Sequence, residues 1–189
     1  EVDANTSAIY ALYTKNLHET LSWSSGLRFE STSYDYNNRL SDGSACVATA
    51  SACRFYRTKD GTNRFSDWNA HTGLLWQVDD GNTLRIRLAN GFRPPETSEL
   101  YRLQNGQSAA QLDSESARSL ELGWRASFDT LELDASIYRM SKTDVIFQDV
   151  NRYYVTGAKT QHKGVELKLS TKFSGAWNAD LAASFGSHK

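Results

Sequence analysis

Apolar and polar residues alternate along several stretches of this chain. After residue 119 every second position is apolar, and these positions are Leu120, Leu122, Trp124, Ala126 and Phe128. The rhythm resumes after residues 129–130 with Leu131, Leu133, Ala135 and Ile137. Successive side chains of a β-strand point to opposite faces of the sheet, so the pattern predicts strands with one apolar and one polar face.

Eight such strands are predicted, arranged in four hairpins. They cover about residues 7–14, 21–33, 68–78, 83–92, 120–128, 131–138, 164–173 and a segment that begins near Trp177. The first strand is ambiguous, because two alternating sets of apolar residues, one through Ile9 and one through Tyr10, compete for its apolar face.

The predicted connections alternate in length. Short turns lie at residues 15–20, 79–82, 129–130 and 174–175, and long connections lie at residues 34–67, 93–118 and 139–163. Long irregular loops are uncommon in compact soluble domains, whereas outer-membrane barrels have short periplasmic turns and long extracellular loops. The sequence therefore predicts an all-β fold, an antiparallel transmembrane β-barrel segment of about eight strands.

Aromatic residues agree with a membrane barrel, because several lie within a few residues of the short turns. Such rings collect at the headgroup level of a bilayer and would form a girdle on the periplasmic side. These residues are Trp23, Trp76, Phe128, Phe173 and Trp177. A soluble β-sandwich or solenoid is the alternative, since its core also uses aromatic residues at alternate positions.

The composition is that of a β protein without a strongly charged partner. The 189 residues include nine Tyr, eight Phe and five Trp but only two Pro, and the net charge of −1 does not indicate nucleic acid. The mean hydropathy of −0.57 is compatible with a barrel, since only every second strand residue would meet lipid.

No segment resembles a signal peptide, and both ends interrupt the alternation, so we expect an excerpt of a longer chain.

Cys46 and Cys53 are the only cysteines. We predict a disulfide that closes a loop in an oxidising compartment, with two unpaired thiols as the alternative. A zinc site is disfavoured, because no histidine is close enough in sequence to complete it. The four histidines, His18, His71, His162 and His188, are scattered along the chain. We expect them at surface or lumen positions, so the sequence predicts neither a metal site nor a cofactor.

Several short motifs follow one another along the chain. They are LRFE at 27–30, LANGFRPPETSELY at 88–101, SLELGW at 119–124, IY at 137–138, DVI at 144–146, Gly157 and KGVE at 163–166. Each motif alone has little specificity. The ordered set covers most of the chain and resembles the barrel of TonB-dependent outer-membrane receptors, among them the siderophore receptors.

The resemblance implies a barrel of about 22 strands around an N-terminal plug. It also implies import of a metal chelate, in particular a ferric siderophore, powered by the inner-membrane TonB energy-coupling protein. This chain has no plug, no energy-coupling motif and no terminal aromatic residue. We therefore expect residues 1–189 to be a partial β-barrel domain in the bacterial outer membrane, with lipid, its own plug and TonB as partners.

Candidate site residues form two sets. Arginine and aromatic side chains in a loop above the mouth of the barrel are suited to grip an anionic chelate by charge and stacking. The predicted ligand-binding residues are Arg93, Glu96, Glu99, Tyr101 and Arg102. Charges on the polar faces of the strands would be costly against lipid, so we expect them to line a watery lumen. The predicted lumen-facing residues are Arg28, Glu30, Arg85, Arg87, Glu121, Arg125, Glu166 and Lys168.

Three other functions are compatible with a β-rich chain. A self-contained eight-stranded membrane barrel with a structural or adhesive role explains the number of strands but not the ordered motifs. An outer-membrane barrel enzyme would require a Ser/His/Asp constellation, which four scattered histidines do not provide. A soluble β-sandwich that binds carbohydrate would fold without detergent, whereas a barrel excerpt would not.

Overall fold

The computed structural model describes residues 1–39, 55–107, 109–172, 175 and 177–189. Cys46 and Cys53 lie outside these residues, so the predicted disulfide is not tested, and Phe173 lies outside them as well. Within the described part of the chain, no helix has both the length and the apolar character needed to cross a membrane.

The described residues form one large antiparallel sheet and a short ribbon. The strands of the sheet are β1 (Val2–His18), β2 (Leu21–Tyr36), β4 (Gly61–Gln77), β5 (Asn82–Arg93), β7 (Glu115–Phe128), β8 (Leu131–Gln148), β9 (Tyr154–Lys172) and β10 (Asn178–His188). They lie side by side in this order as a meander. The ribbon pairs β3 (Phe55–Tyr56) with β6 (Leu103–Gln104), and the short helix α1 covers Thr97–Tyr101.

The predicted eight-stranded antiparallel arrangement is confirmed, but the strands are longer than predicted. The connection expected over residues 139–163 is mostly strand, because β8 continues to Gln148 and only five residues separate it from β9. The first turn is likewise reduced to residues 19–20. The outer parts of these strands mix polar residues with a few consecutive apolar ones, such as residues 145–147 of β8, so they lack the alternation from which strands were predicted.

The sheet is open and has one apolar face. Within the described residues β1 and β10 are its two edges and do not pair with each other. Among the residues that the structure describes, no second sheet covers the apolar side chains. Ile9 and Phe185 are 71% and 73% exposed, and Trp177, just before β10, is 74% exposed. This arrangement differs both from a closed eight-stranded barrel and from a sandwich, whose inner faces pack together.

The register decides which face of β1 is apolar. Ile9 lies opposite Phe29 and belongs to the apolar face, whereas Tyr10 lies opposite Arg28 on the polar face. Tyr13 shares the face of Ile9, and its ring lies 5.5 Å from that of Trp23. Two aromatic rings therefore meet near the β1–β2 turn.

The apolar face is a band with a polar border on the side away from the short turns. Leu167 and Val165 of β9 are followed on the same face by Lys163, which lies between Arg139 of β8 and Ser187 of β10. On β8, β9 and β10 the apolar face therefore ends at the same height, where charged and hydroxyl side chains take the place of aliphatic ones.

Aromatic side chains mark both limits of this band on β4. Trp76 lies opposite Leu21 near the short turns, and Trp68 lies opposite Phe29 eight residues away, with ring centroids 5.0 Å apart. At about 3.4 Å per residue, the two tryptophans are separated by about 27 Å along the strand.

A small hydrophobic core lies on the polar face, beyond the level of the band. Residues 94–107 and 109–114 fold over this face and bring α1 against the ends of β2, β4 and β8. The fully buried Pro95 and the buried Leu100 anchor the segment. Pro94 and Pro95 fix an extended exit from β5, as proline favours extended backbone before it. The core consists of Tyr36, Leu100, Tyr101, Leu112 and Ile146.

Candidate functional site

All eight predicted lumen-facing residues lie on the polar face of the sheet. Arg28 lies opposite Tyr10, Arg87 opposite Glu121, and Glu166 opposite Ser136. The strand alternation then places the other predicted residues on the same face. The eight side chains therefore share one surface of the sheet, as the alternation in the sequence predicts.

A charge network crosses three strands of this face. Arg85 Nη2 donates a hydrogen bond to Asp134 Oδ1 at 2.8 Å, and Arg85 Nε donates to Glu121 Oε1 at 3.3 Å. Arg125 Nε donates to Asp134 Oδ2 at 3.0 Å. Arg85 and Asp134 belong to β5 and β8, so the guanidinium spans the intervening β7. The network balances two arginines with two carboxylates.

Gly123 makes this long reach possible. It lies directly opposite Arg85 on β7, and a Cβ at this position would overlap the Arg85 guanidinium. The arginine therefore lies flat across the backbone of β7. A cavity of about 570 Å³ opens over the network and reaches Glu166 and Lys168, so the charged surface faces an open space.

A second charge network holds α1 against the end of β5 that lies away from the short turns. Arg93 lies opposite Glu115 and donates to both of its carboxylate oxygens, with Nη2 to Oε1 at 2.8 Å and Nε to Oε2 at 3.0 Å. Arg93 Nη1 also donates to Glu99 Oε2 at 3.2 Å and lies 3.6 Å from Glu96 Oε1. The Glu115 carboxylate in turn accepts the Ile146 N–H at 2.9 Å.

Tyr101 is a buried part of the core. Its ring stacks on that of Tyr36 with centroids 4.4 Å apart and an interplanar angle of 4°, and its hydroxyl donates to Asn63 Oδ1 at 2.8 Å. Burial, with a smaller contribution from the Asp35 carboxylate, raises the pKa of Tyr101 to about 12. The phenol is therefore neutral over the physiological pH range.

Arg102 is exposed, as is Glu96, but it is the one predicted ligand-binding residue that lines the cavity described next. Its guanidinium carbon lies 4.1 Å from the centroid of the Phe55 ring. Both residues line a cavity of about 360 Å³, which Arg152 and Tyr154 line from the β8–β9 turn. Two cations and two aromatic rings therefore surround one open space.

The β8–β9 turn presents Arg152 through local hydrogen bonds. Asp149 Oδ1 accepts the N–H groups of Asn151 and Tyr153 at 2.8 and 2.9 Å, and the Asp149 carbonyl accepts the Arg152 N–H at 2.9 Å. Arg152 has φ of 63°, a left-handed conformation that is uncommon for residues other than glycine. An aspartate at the start of a tight turn commonly forms such bonds.

The structure thus brings together four of the five predicted ligand-binding residues and places the fifth in a different environment. Arg93, Glu96 and Glu99 form one charge network, Tyr101 packs beside it, and Arg102 faces the open cavity. Sequence reasoning did not find Phe55, Glu115, Arg152 or Tyr154, because their proximity depends on pairing between strands that are distant in sequence. Among the described residues, no group of three His, Cys, Asp or Glu side chains is arranged to hold a metal ion.

The sequence matches the family described as TonB dependent receptor-like, beta-barrel, over residues 1–187. The chain therefore belongs to the barrel class of the TonB-dependent receptors, whose barrels are outer-membrane proteins and whose members are receptors rather than enzymes. No protein of curated function matches the sequence.

Solved structures with the same fold include a copper transporter and two receptors. The copper transporter OprC is similar with a TM-score of 0.79 and 20% identity, over 100% of this chain and 29% of that chain. The ferric yersiniabactin uptake receptor FyuA from Yersinia pestis has a TM-score of 0.74 and 18% identity, over 100% and 27%. The alcaligin outer membrane receptor FauA from Bordetella pertussis has a TM-score of 0.71 and 14% identity, over 100% and 31%.

This chain spans less than a third of the length of each of these three proteins. At these identities the similarity establishes the fold. The family match confirms the predicted family, and the structural similarity confirms the all-β barrel architecture.

Proposed function

We propose that this chain forms part of the wall of an outer-membrane receptor that imports a metal chelate, with a ferric siderophore as the favoured class. The observation that carries the proposal is a sheet with one exposed apolar face and one charged face. A soluble protein would cover such an apolar surface, because contiguous exposed patches larger than a few hundred Å² are rare. A sheet of this kind is stable when its apolar face contacts a lipid bilayer and its charged face contacts water.

The dimensions of the apolar band support a membrane location. The distance of about 27 Å along β4 between Trp76 and Trp68 corresponds, at a strand tilt of about 40°, to a height of about 21 Å, comparable to the apolar band of about 25 Å found on outer-membrane barrels. Aromatic rings at both limits are typical of side chains that occupy the two interfaces. The polar border at Lys163 and Arg139 would then lie at the outer headgroup level.

The charged face would line the lumen and contact the plug of the complete receptor. Charged pairs such as Arg85 and Asp134 are costly against lipid but inexpensive beside water or a polar plug surface. The edges β1 and β10 would pair with further strands, because unpaired backbone groups are costly in a bilayer. A TonB-type energy-coupling protein would drive the release of the cargo.

The exposed cavity at the mouth is the ligand contact that we favour. Arg102 and Arg152 supply positive charge for an anionic chelate, and Phe55 and Tyr154 supply flat surfaces for its organic rings. In this proposal Arg93, Glu96, Glu99 and Tyr101 act as positioning residues. They hold α1 at the mouth and thereby place Arg102, which follows directly after that helix.

The test is cargo binding by the full-length receptor purified in detergent. The probes are ferric catecholate, ferric hydroxamate and copper chelates, titrated against the wild type and against Arg102→Ala and Arg152→Ala. We expect one ferric chelate to bind and each substitution to weaken it by about tenfold or more, the usual effect of losing a charge-assisted hydrogen bond.

Arg139→Ala is the matched control, because Arg139 lies at the polar border of the opposite face. It should leave the affinity unchanged. If no ferric chelate binds, or if all three variants bind like the wild type, the proposed cargo class or the proposed contact is wrong.

A further inference from the structure

We propose that His162 of β9 and His188 of β10 form a binding site for a borderline transition-metal ion, with Cu²⁺ preferred, on the polar face of the sheet. This site is separate from the proposed chelate contact at the mouth. It would take the metal ion itself through protein ligands, whichever chelate the receptor imports.

The two imidazoles are already paired across the strands. His162 and His188 are register partners, and their Nδ1 atoms lie 2.6 Å apart with ring centroids 4.9 Å apart. In this hydrogen bond one Nδ1 carries the shared proton, and the other Nδ1 accepts it through its lone pair. A metal ion bound by both nitrogens would take the place of that proton.

The separation of the nitrogens is close to what a metal ion requires. A metal–nitrogen distance of about 2.0–2.1 Å places two cis ligands roughly 2.9–3.4 Å apart. Small rotations of the two rings would open the present 2.6 Å to this span. Both side chains lie near the surface of the sheet, where an ion has access.

A neighbouring hydroxyl orients one of the ligands. Thr160 Oγ1 lies 2.9 Å from His162 Nε2. When Nε2–H donates to this hydroxyl, the lone pair of Nδ1 is directed toward His188. A hydrogen bond of this kind to the distal nitrogen is a common accompaniment of metal-binding histidines.

Other donors and the available space favour a soft or borderline ion. Met140 of β8 is the register partner of His162, so its thioether leaves the same face of the next strand. A Cβ at Gly186 would lie 3.3 Å from His188 Nε2 and 3.5 Å from the Tyr138 hydroxyl oxygen. The glycine therefore leaves room for the imidazole beside a phenol.

The cations beside the histidines lie on both faces of the sheet. Arg139 and Lys163 alternate with the histidines and belong to the other face, where Lys163 is the partner of both Arg139 and Ser187. Lys142 lies on the polar face opposite Thr160, two residues further along β8 than Met140. Imidazole and thioether ligands suit copper, and Cu²⁺ binds most tightly in the series of divalent first-row metals. Hard cations such as Mg²⁺ prefer oxygen ligands and would not be held here.

The experiment titrates the metal-free full-length receptor in detergent with Cu²⁺ alone. Calorimetry measures the affinity, and electron paramagnetic resonance reports the nitrogen ligands of the bound copper. We expect a bound Cu²⁺ with two imidazole nitrogens. His162→Gln and His188→Gln should each lower its affinity by about tenfold or more, because the second imidazole binds intramolecularly.

His18→Gln and His71→Gln are the matched controls and should leave this copper signal unchanged. A His162→Gln/His188→Gln double variant that keeps the wild-type affinity and spectrum would overturn the proposal. Chemical modification of the wild type tests it without substitutions. Cu²⁺ should protect both histidines from an acylating reagent, and equal modification with and without Cu²⁺ would equally contradict the site.

Discussion

Glycines on the polar face provide space for large side chains of the neighbouring strands. Gly123 receives the guanidinium of Arg85, and Gly26 receives the imidazole of His71, its register partner. Gly164 receives the ring of Tyr138 in the same way. At these positions the absence of a side chain allows a charged or aromatic neighbour to lie flat against the sheet.

Gly123→Ala should therefore displace Arg85 from Asp134 and Glu121. Alanine ordinarily suits a strand better than glycine, so a loss of stability would be specific to this contact. We expect the free energy of unfolding to fall by about 1 kcal/mol, as for a partly exposed ion pair. The measurement is the urea midpoint of the full-length receptor in detergent.

Two comparisons isolate that effect. Gly61→Ala is the control, because no atom lies within 4 Å of the added Cβ, and it should not destabilise the receptor. In an Arg85→Gln background, Gly123→Ala should cost less than in the wild type. An equal cost in both backgrounds would show that the guanidinium is not the group displaced.

Tyr101 should ionise later than an ordinary tyrosine. Its pKa is raised to about 12 by burial, compared with about 10 in an unfolded chain. The neutral phenol is favoured by folding, so this stabilisation is complete below pH about 10 and is lost as the pH rises through about 12.

The difference in tyrosinate absorbance between the wild type and Tyr101→Phe isolates this phenol in the full-length receptor. We expect the difference to titrate near pH 12. A midpoint near pH 10 would contradict the buried position of the ring against Tyr36.

At the scale of whole strands, the sequence predicts a strand well where one face would contact lipid and the other water, because the side chains then alternate between apolar and polar. Residues 131–137 and 164–170 alternate strictly, and the structure has strands there. The extensions of β8 to Gln148 and of β9 from Tyr154 escaped prediction, because polar and apolar residues do not alternate in them. Backbone pairing between neighbours maintains these strands where the sequence pattern gives no indication of them.

Adjacent positions of β10 should respond oppositely to a charge. Ala183 lies on the apolar face opposite Leu167, and Ser184 lies on the polar face opposite Glu166. Ala183→Arg should destabilise the receptor by about 2–4 kcal/mol, the cost of arginine near the middle of a bilayer. Ser184→Arg should have little effect, because it would face Glu166.

The measurement is the folded fraction of the full-length receptor in lipid bilayers, scored by its change in mobility on heating. The two variants occupy almost the same depth and carry the same new side chain. Equal destabilisation by both would contradict the assignment of one face to lipid.

At the scale of the whole molecule, the sequence predicted the surfaces better than the contacts. The eight lumen-facing candidates share a face because alternation is a local property. Arg93 and Glu115 meet only because β5 and β7 pair across the segment between them, which no local pattern reveals. The pairing of His162 with His188 is different, because β9 and β10 form a hairpin without a register shift. Once one pair of residues in this hairpin is known, every other pair follows by counting away from the turn.

The central claim is that this sheet separates lipid from a watery lumen in an outer-membrane receptor. The most direct test is the accessibility of nitroxide labels along residues 165–170 of β9, in the full-length receptor in outer membranes, with the native cysteines replaced by serine. Labels at Val165, Leu167 and Leu169 should be accessible to oxygen dissolved in lipid, and labels at Glu166, Lys168 and Ser170 to a water-soluble nickel complex. Equal accessibility at both sets of positions would contradict the account.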